Sequence, residues 1–170
     1  MTIGDILAIV AAVVGICVSA WALMVTCGLM FPAKAETARQ VLLSKPKACI
    51  GLGVGLALVP GFLGVVMLGS PHPGLKLLGM LGILTVLGCG ALGGAGVSFV
   101  AGDRIQSMAP ELSDYAVFVR GAGFLVVGSI FPIVGWFAFG PIALFAAVGS
   151  GARAVLRGTS VVRQSAEPLA

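Results

Sequence analysis

From Ile6 to Met30 the chain carries no charged residue, and from Ala48 to Leu68 there is again none. Leu75 to Ala101 holds only Lys76, and Ala116 to Gly149 only Arg120. Uncharged stretches of about 20 residues are long enough to cross the hydrocarbon core of a bilayer as helices. With 9% charged residues across 170 positions, against about 25% in soluble domains, the chain cannot make a water-facing surface. Mean hydropathy, +1.14, points the same way. The fold class is therefore all-α: a polytopic membrane bundle, with residues 1–170 forming one membrane domain.

Punctuation divides the chain. Phe31-Pro32 ends the first span, because proline cannot continue the backbone ladder and restricts the residue before it. Pro32 then opens a short surface helix over 33–44, whose Ala35, Ala38, Val41 and Leu42 share one face. The second span, 48–68, is interrupted by Pro60-Gly61, which predicts a kink. "GSPHPG", Gly69 to Gly74, is a tight turn, and the third span covers 75–101. In the polar connector that follows, Pro110 and Glu111 are placed to open another surface helix. The tail, 152–170, is polar. The N-terminus lacks a positive flank, with Asp5 as its only charge, so the first helix is expected to be retained rather than cleaved as a signal peptide.

The last apolar run, 116–149, contains Pro132, Gly135, Trp136, Gly140 and Pro141. As one helix, Gly121 to Gly149 would measure about 43 Å against a hydrocarbon core of about 30 Å, an excess that tilt can partly absorb. Loop charge speaks to the alternative. Four simple crossings put six of the ten basic residues on one side and four on the other. If the run turns back near Pro132 and Gly135, the division becomes nine against one, with only Lys76 on the far side. The positive-inside rule prefers the second arrangement. Each arm, 116–131 and 133–149, would reach about 24 Å, and Trp136 would sit near the far interface. One long kinked helix and a hairpin or re-entrant pair both stay open. The hairpin places the N-terminus outside and the tail in the cytoplasm.

Glycine is the strongest positive signal. Gly82, Gly90, Gly94 and Ser98 recur at multiples of four on the third span, and Gly51 with Gly55 on the second. Gly53, Ala57 and Gly61 make a second such series there. Small residues at this spacing let helices approach closely in lipid, so these positions are read as helix-packing or partner-interface residues. Lys34, Arg39, Lys45, Lys47 and Arg153 form a basic belt at the membrane surface, which anionic headgroups would favour.

Chemistry is sparse by comparison. No carboxylate or histidine lies at depth to relay a proton, and Arg120 is near enough to the edge of its run to snorkel to the surface. His72, the sole histidine, sits in a turn and cannot by itself build a haem or metal site. Cys17, Cys27, Cys49 and Cys89 form no C-x-x-C pair and read as small hydrophobes. Ser150, between Gly149 and Gly151, lacks an activating base in reach. "GLGVGLAL" has no strand–turn–helix context for a nucleotide. No catalytic, metal or cofactor residue is assigned, and the positive charge reports sidedness rather than nucleic acid.

The segments "FPAKAETARQVLLSKPKACIGLGVGLALVP" and "VRGAGFLVVGSIFPIVGWFAFGPIALFAAVGSGARAVL", with a Gly-rich span between them, resemble a group of bacterial polytopic membrane domains. Those domains occur alone or joined to bactofilin-like polymer-forming modules. The resemblance covers about Pro32 to Leu156 and implies a bacterial cytoplasmic membrane, with no reaction and no catalytic residue. No β-helical module accompanies it in this sequence. The expected function is that of a non-enzymatic accessory, scaffolding or assembly subunit, with other membrane subunits or further copies of itself as partners besides the bilayer. The alternatives are a small channel or transporter built around the broken segment, and a lipid-interacting protein using the basic belt.

Overall fold

The computed structural model describes residues 3–131 and 135–156, except for the side chain of Trp136. Pro132 of the expected hairpin tip and the tail beyond Leu156 lie outside the described residues. The rest is helical apart from short connections. In chain order the helices are α1 (Ile3–Met30), α2 (Pro32–Ser44), α3 (Pro46–Leu56), α4 (Leu63–Leu68), α5 (Pro73–Met108), α6 (Asp114–Ile130) and α7 (Gly140–Leu156). Four stretches are long and apolar enough to cross a membrane: Ile3–Met30, Pro46–Leu68, Pro73–Met108 and Phe137–Leu156.

Prolines set the corners. Pro32, Pro46 and Pro73 each stand in the first turn of a helix, where the missing N–H would have had no intrahelical partner. The residues before them, Phe31, Lys45 and His72, take non-helical backbone angles, as the proline ring demands. Within the second span, Pro60 acts differently. It removes a donor from the ladder, and the chain widens into a π-helical turn over Ala57–Phe62 before α4 resumes. The expected interruption is thus a local widening, and Pro46–Leu68 continues as one span.

The connector after the third span departs from expectation. α5 runs on through Gly102–Met108, past its apolar section, for a length of about 54 Å. No surface helix opens at Pro110 and Glu111. Instead the Ala109 N–H closes α5 on the Ile105 carbonyl at 3.0 Å, and Ser113 caps α6 by accepting from the Ala116 N–H at 3.4 Å. The polar residues Asp103, Arg104 and Gln106 are better placed in α5 than in a loop, because helix continuation keeps their backbone groups paired.

The last apolar run is not one helix. α6 ends at Ile130, and a π-helical turn over Gly135–Phe139 leads into α7. Gly135 is close enough to the Gly128 and Ser129 carbonyls that an added Cβ would lie 2.5 Å and 2.8 Å from them. Both ends of the run meet α2. Phe118, near the start of α6, packs with Ala35 and Ala95; Ala154, near the end of α7, packs with Ala38 and Leu92. The start of α6 and the end of α7 thus both border α2.

Candidate functional site

Three helices cross where glycine removes the side chains between them. A Cβ on Gly53 of α3 would overlap the Phe145 carbonyl, and one on Gly149 of α7 would overlap the Cys49 carbonyl. On its other side α7 meets α5 in the same way: Gly93 lies against the Ala147 carbonyl, and Gly151 against that of Cys89. Gly149 and Gly151 are two residues apart, about 200° around a helix, so α7 is a wedge with one bare face for each neighbour. Ala146 through Ala152 are all buried. Backbone contact of this kind replaces side-chain packing in lipid, where burial of apolar surface between helices gains little.

The predicted packing residues divide into two groups. Ser98 is fully buried, donating to the Gly94 carbonyl at 2.8 Å. Gly94 lies beneath Met24 of α1, Gly90 beside Val148 of α7, and Gly82 beside the Pro60 carbonyl. Gly51 and Gly55 differ: nothing stands within 4 Å of a Cβ built at either, and both are exposed. Inside the chain the second span packs through Cys49 and Gly53, one face round from the Gly51–Gly55 pair. Gly93, Gly149 and Gly151 were not singled out for packing, although two glycines at i and i+2 in an apolar helix signal a helix held on both sides. Of the expected tip, Gly135 and Gly140 are at the turn, and Pro141 stands in the first turn of α7, where proline is tolerated.

Between α1, α5, α6 and α7 lies a cavity of about 420 Å³, within the range of about 300–1,000 Å³ typical of ligand pockets. Its walls are built from small residues facing large ones: Ala20, Gly90 and Ala143 open the space that Leu23, Val97 and Leu125 border. The hydroxyl of Ser129 reaches it but already donates to the Leu125 carbonyl at 2.8 Å. The Trp21 indole N–H, donating to the Val119 carbonyl at 3.2 Å, pins α1 to α6 beside the cavity. Phe118 stacks on Phe99 with ring centroids 4.5 Å apart, tying α6 to α5 above it.

The basic belt is not uniform. Arg39 of α2 is engaged, donating to Glu36 at 2.8 Å and to Asp103 of α5 at 2.7 Å and 3.0 Å. Burial works against its charge, but hydrogen bonds and Coulombic attraction from those two carboxylates outweigh it and hold the guanidinium pKa above its usual value. Lys45, Lys47, Arg104 and Arg120 are exposed, while Lys34 and Arg153 are half-buried.

Residues weighed for catalysis are kept apart. Ser150 is buried and donates to the Ala147 carbonyl at 3.2 Å. His72 is exposed in the turn before α5, at the end of the bundle away from α2. Among the described residues no group of three metal-ligating side chains converges. No family model matches the chain, nor does any curated protein or solved structure.

Proposed function

We propose that this helical membrane protein is a non-enzymatic accessory, scaffolding or assembly subunit that associates with other membrane helices, either of its own kind or of a partner. The observation that carries this reading is the open pair Gly51 and Gly55 on α3. The packing positions on the third span, Gly82, Gly90 and Gly94, are met by Pro60, Val148 and Met24, whereas this pair, at the spacing that favours close helix approach, meets nothing among the described residues. Its setting is the bacterial cytoplasmic membrane suggested by the resemblance, with α2, the α5–α6 connector and the tail inside and the N-terminus outside. The return of α7 to α2 supports that sidedness, since among the described residues it gathers every basic residue except Lys76 at one end.

The channel or transporter reading has less support. The cavity beside the broken segment is lined almost wholly by carbon, with the Ser129 hydroxyl as the one side-chain oxygen among its lining residues. The test is association in mild detergent and in vesicles, read by cross-linking and by size. Gly51→Leu with Gly55→Leu is expected to abolish a higher-order species without lowering the melting transition of the single chain. A wild type that is strictly monomeric in both media would overturn the reading.

A further inference from the structure

We infer that the cavity between α1, α5, α6 and α7 is a binding site for an anionic phospholipid of the surrounding bilayer, with an acyl chain in the cavity and the phosphate at Arg104. The inference rests on the membrane setting and not on the assembly reading.

The cavity belongs to the hydrocarbon region. It is bordered along α5 from Val86 to Val97, a rise of about 16 Å, all within the uncharged part of that span. Water gains nothing there: an apolar space without two to four polar partners stays dry, and the one hydroxyl present is satisfied. In a bilayer the apolar material at hand is the lipid tail. Met24, an adaptable side chain, lies over Gly94 at the upper wall, and α1 contributes the least buried of the four spans.

Charge supplies the second half of the site. Val97, Ala101 and Arg104 follow one another at spacings of four and three, so they share a face of α5. Arg104 therefore stands above the cavity on the face that lines it, about 10 Å beyond Val97, where the polar interface of about 5–8 Å on each side of the core begins. Arg104 is exposed and makes no ion pair among the described residues. The adjacent carboxylate, Asp103, is held by Arg39, as is Glu36, and Asp114 accepts from Gln106 at 3.1 Å. The Arg39 clasp thus leaves a forked cation over an apolar cavity, and a phosphate bearing an acyl chain complements both. Guanidinium pairs with phosphate through parallel charged hydrogen bonds.

The experiment is native mass spectrometry of protein released from vesicles of equal parts phosphatidylglycerol and phosphatidylcholine. The wild type is expected to retain one phosphatidylglycerol in preference to phosphatidylcholine. Ala143→Phe, which fills the cavity, is expected to lose retained lipid of both kinds, with Ala20→Leu as a milder filling from the α1 side; the melting transition checks that each is folded. Arg104→Gln is expected to keep an acyl-chain adduct while losing about tenfold in preference for the anionic lipid, the size of one charged hydrogen bond. A wild type that retains no lipid, or folded filled variants that retain it unchanged, would overturn the cavity assignment. Undiminished preference in Arg104→Gln would overturn the headgroup assignment. A doubled protein mass without lipid, lost on filling, would give the cavity to a second copy instead.

Discussion

At the scale of single residues, the bundle is decided by which glycines touch. Gly53 and Gly55 are two positions apart on α3, yet an added methyl meets the Phe145 carbonyl at the first and open space at the second. The same substitution is therefore expected to have opposite signs. Gly53→Ala should cost about 1–3 kcal/mol, because the crossing with α7 must open to admit the methyl. Gly55→Ala should gain roughly 0.5–1 kcal/mol from helix propensity, with no contact changed. Denaturation in a single detergent, read by loss of helicity, checks both. Equal effects at the two positions would mean that α3 does not meet α7 through Gly53. The sequence shows four-residue spacing in both series and cannot choose between them, because an apolar helix has no polar face to mark its inward side. That choice is made by α7, whose Gly149 stands nearly a hundred residues away along the chain.

At the scale of elements, proline positions carry most of what sequence alone reveals. Pro32, Pro46 and Pro73 act through a rule local to one residue, so the starts of α2, α3 and α5 were expected within a residue or two. The end of α5 was not. Asp103 and Arg104 look like loop residues, but Asp103 is drawn into a long-range bond with Arg39, and only the folded arrangement of α2 on α5 brings that partner near. Because both side chains of this clasp are partly exposed, 30% for Arg39 and 46% for Asp103, it is worth no more than about 1 kcal/mol. Asp103→Asn is expected to lower the melting transition slightly at low salt and not at all at high salt, where the pair is screened. Amide exchange should quicken in α2 while α7 is unaffected. A loss that persists at high salt would show that Asp103 acts through packing of the α5 extension rather than through charge. The cavity was equally hidden, since it is formed by four helices distant in sequence and owes its volume to Ala20, Gly90 and Ala143, each ordinary in its own span.

At the scale of the whole molecule, sidedness follows from a single element. α2 receives Phe118 from the start of α6 and Ala154 from the end of α7, so whichever face of the membrane holds Lys34 and Lys45 must hold the far end of α7 too. In the proposed orientation that face is cytoplasmic, as the positive-inside rule prefers. The opposite end then carries His72 and Lys76. Three labelling sites test this in a background with Cys17, Cys27, Cys49 and Cys89 replaced by alanine: Lys47→Cys before the second span, His72→Cys in the turn, and Ser165→Cys in the tail. Treated with a membrane-impermeant thiol reagent, intact cells are expected to label His72→Cys alone, and all three should label after lysis. Labelling of Ser165→Cys together with His72→Cys would carry the chain across the membrane once between α6 and the tail, and would separate Ala154 from Ala38. Labelling of Lys47→Cys and Ser165→Cys without His72→Cys would invert the molecule without disturbing its fold, because every helix contact depends on the relative direction of the spans and none on which side faces the cytoplasm. Charge alone distinguishes those two orientations. Replacing Lys34, Lys45 and Lys47 together by glutamine, while adding lysines beside His72, should therefore shift the labelling pattern toward the inverted one and leave the melting transition near its wild-type value.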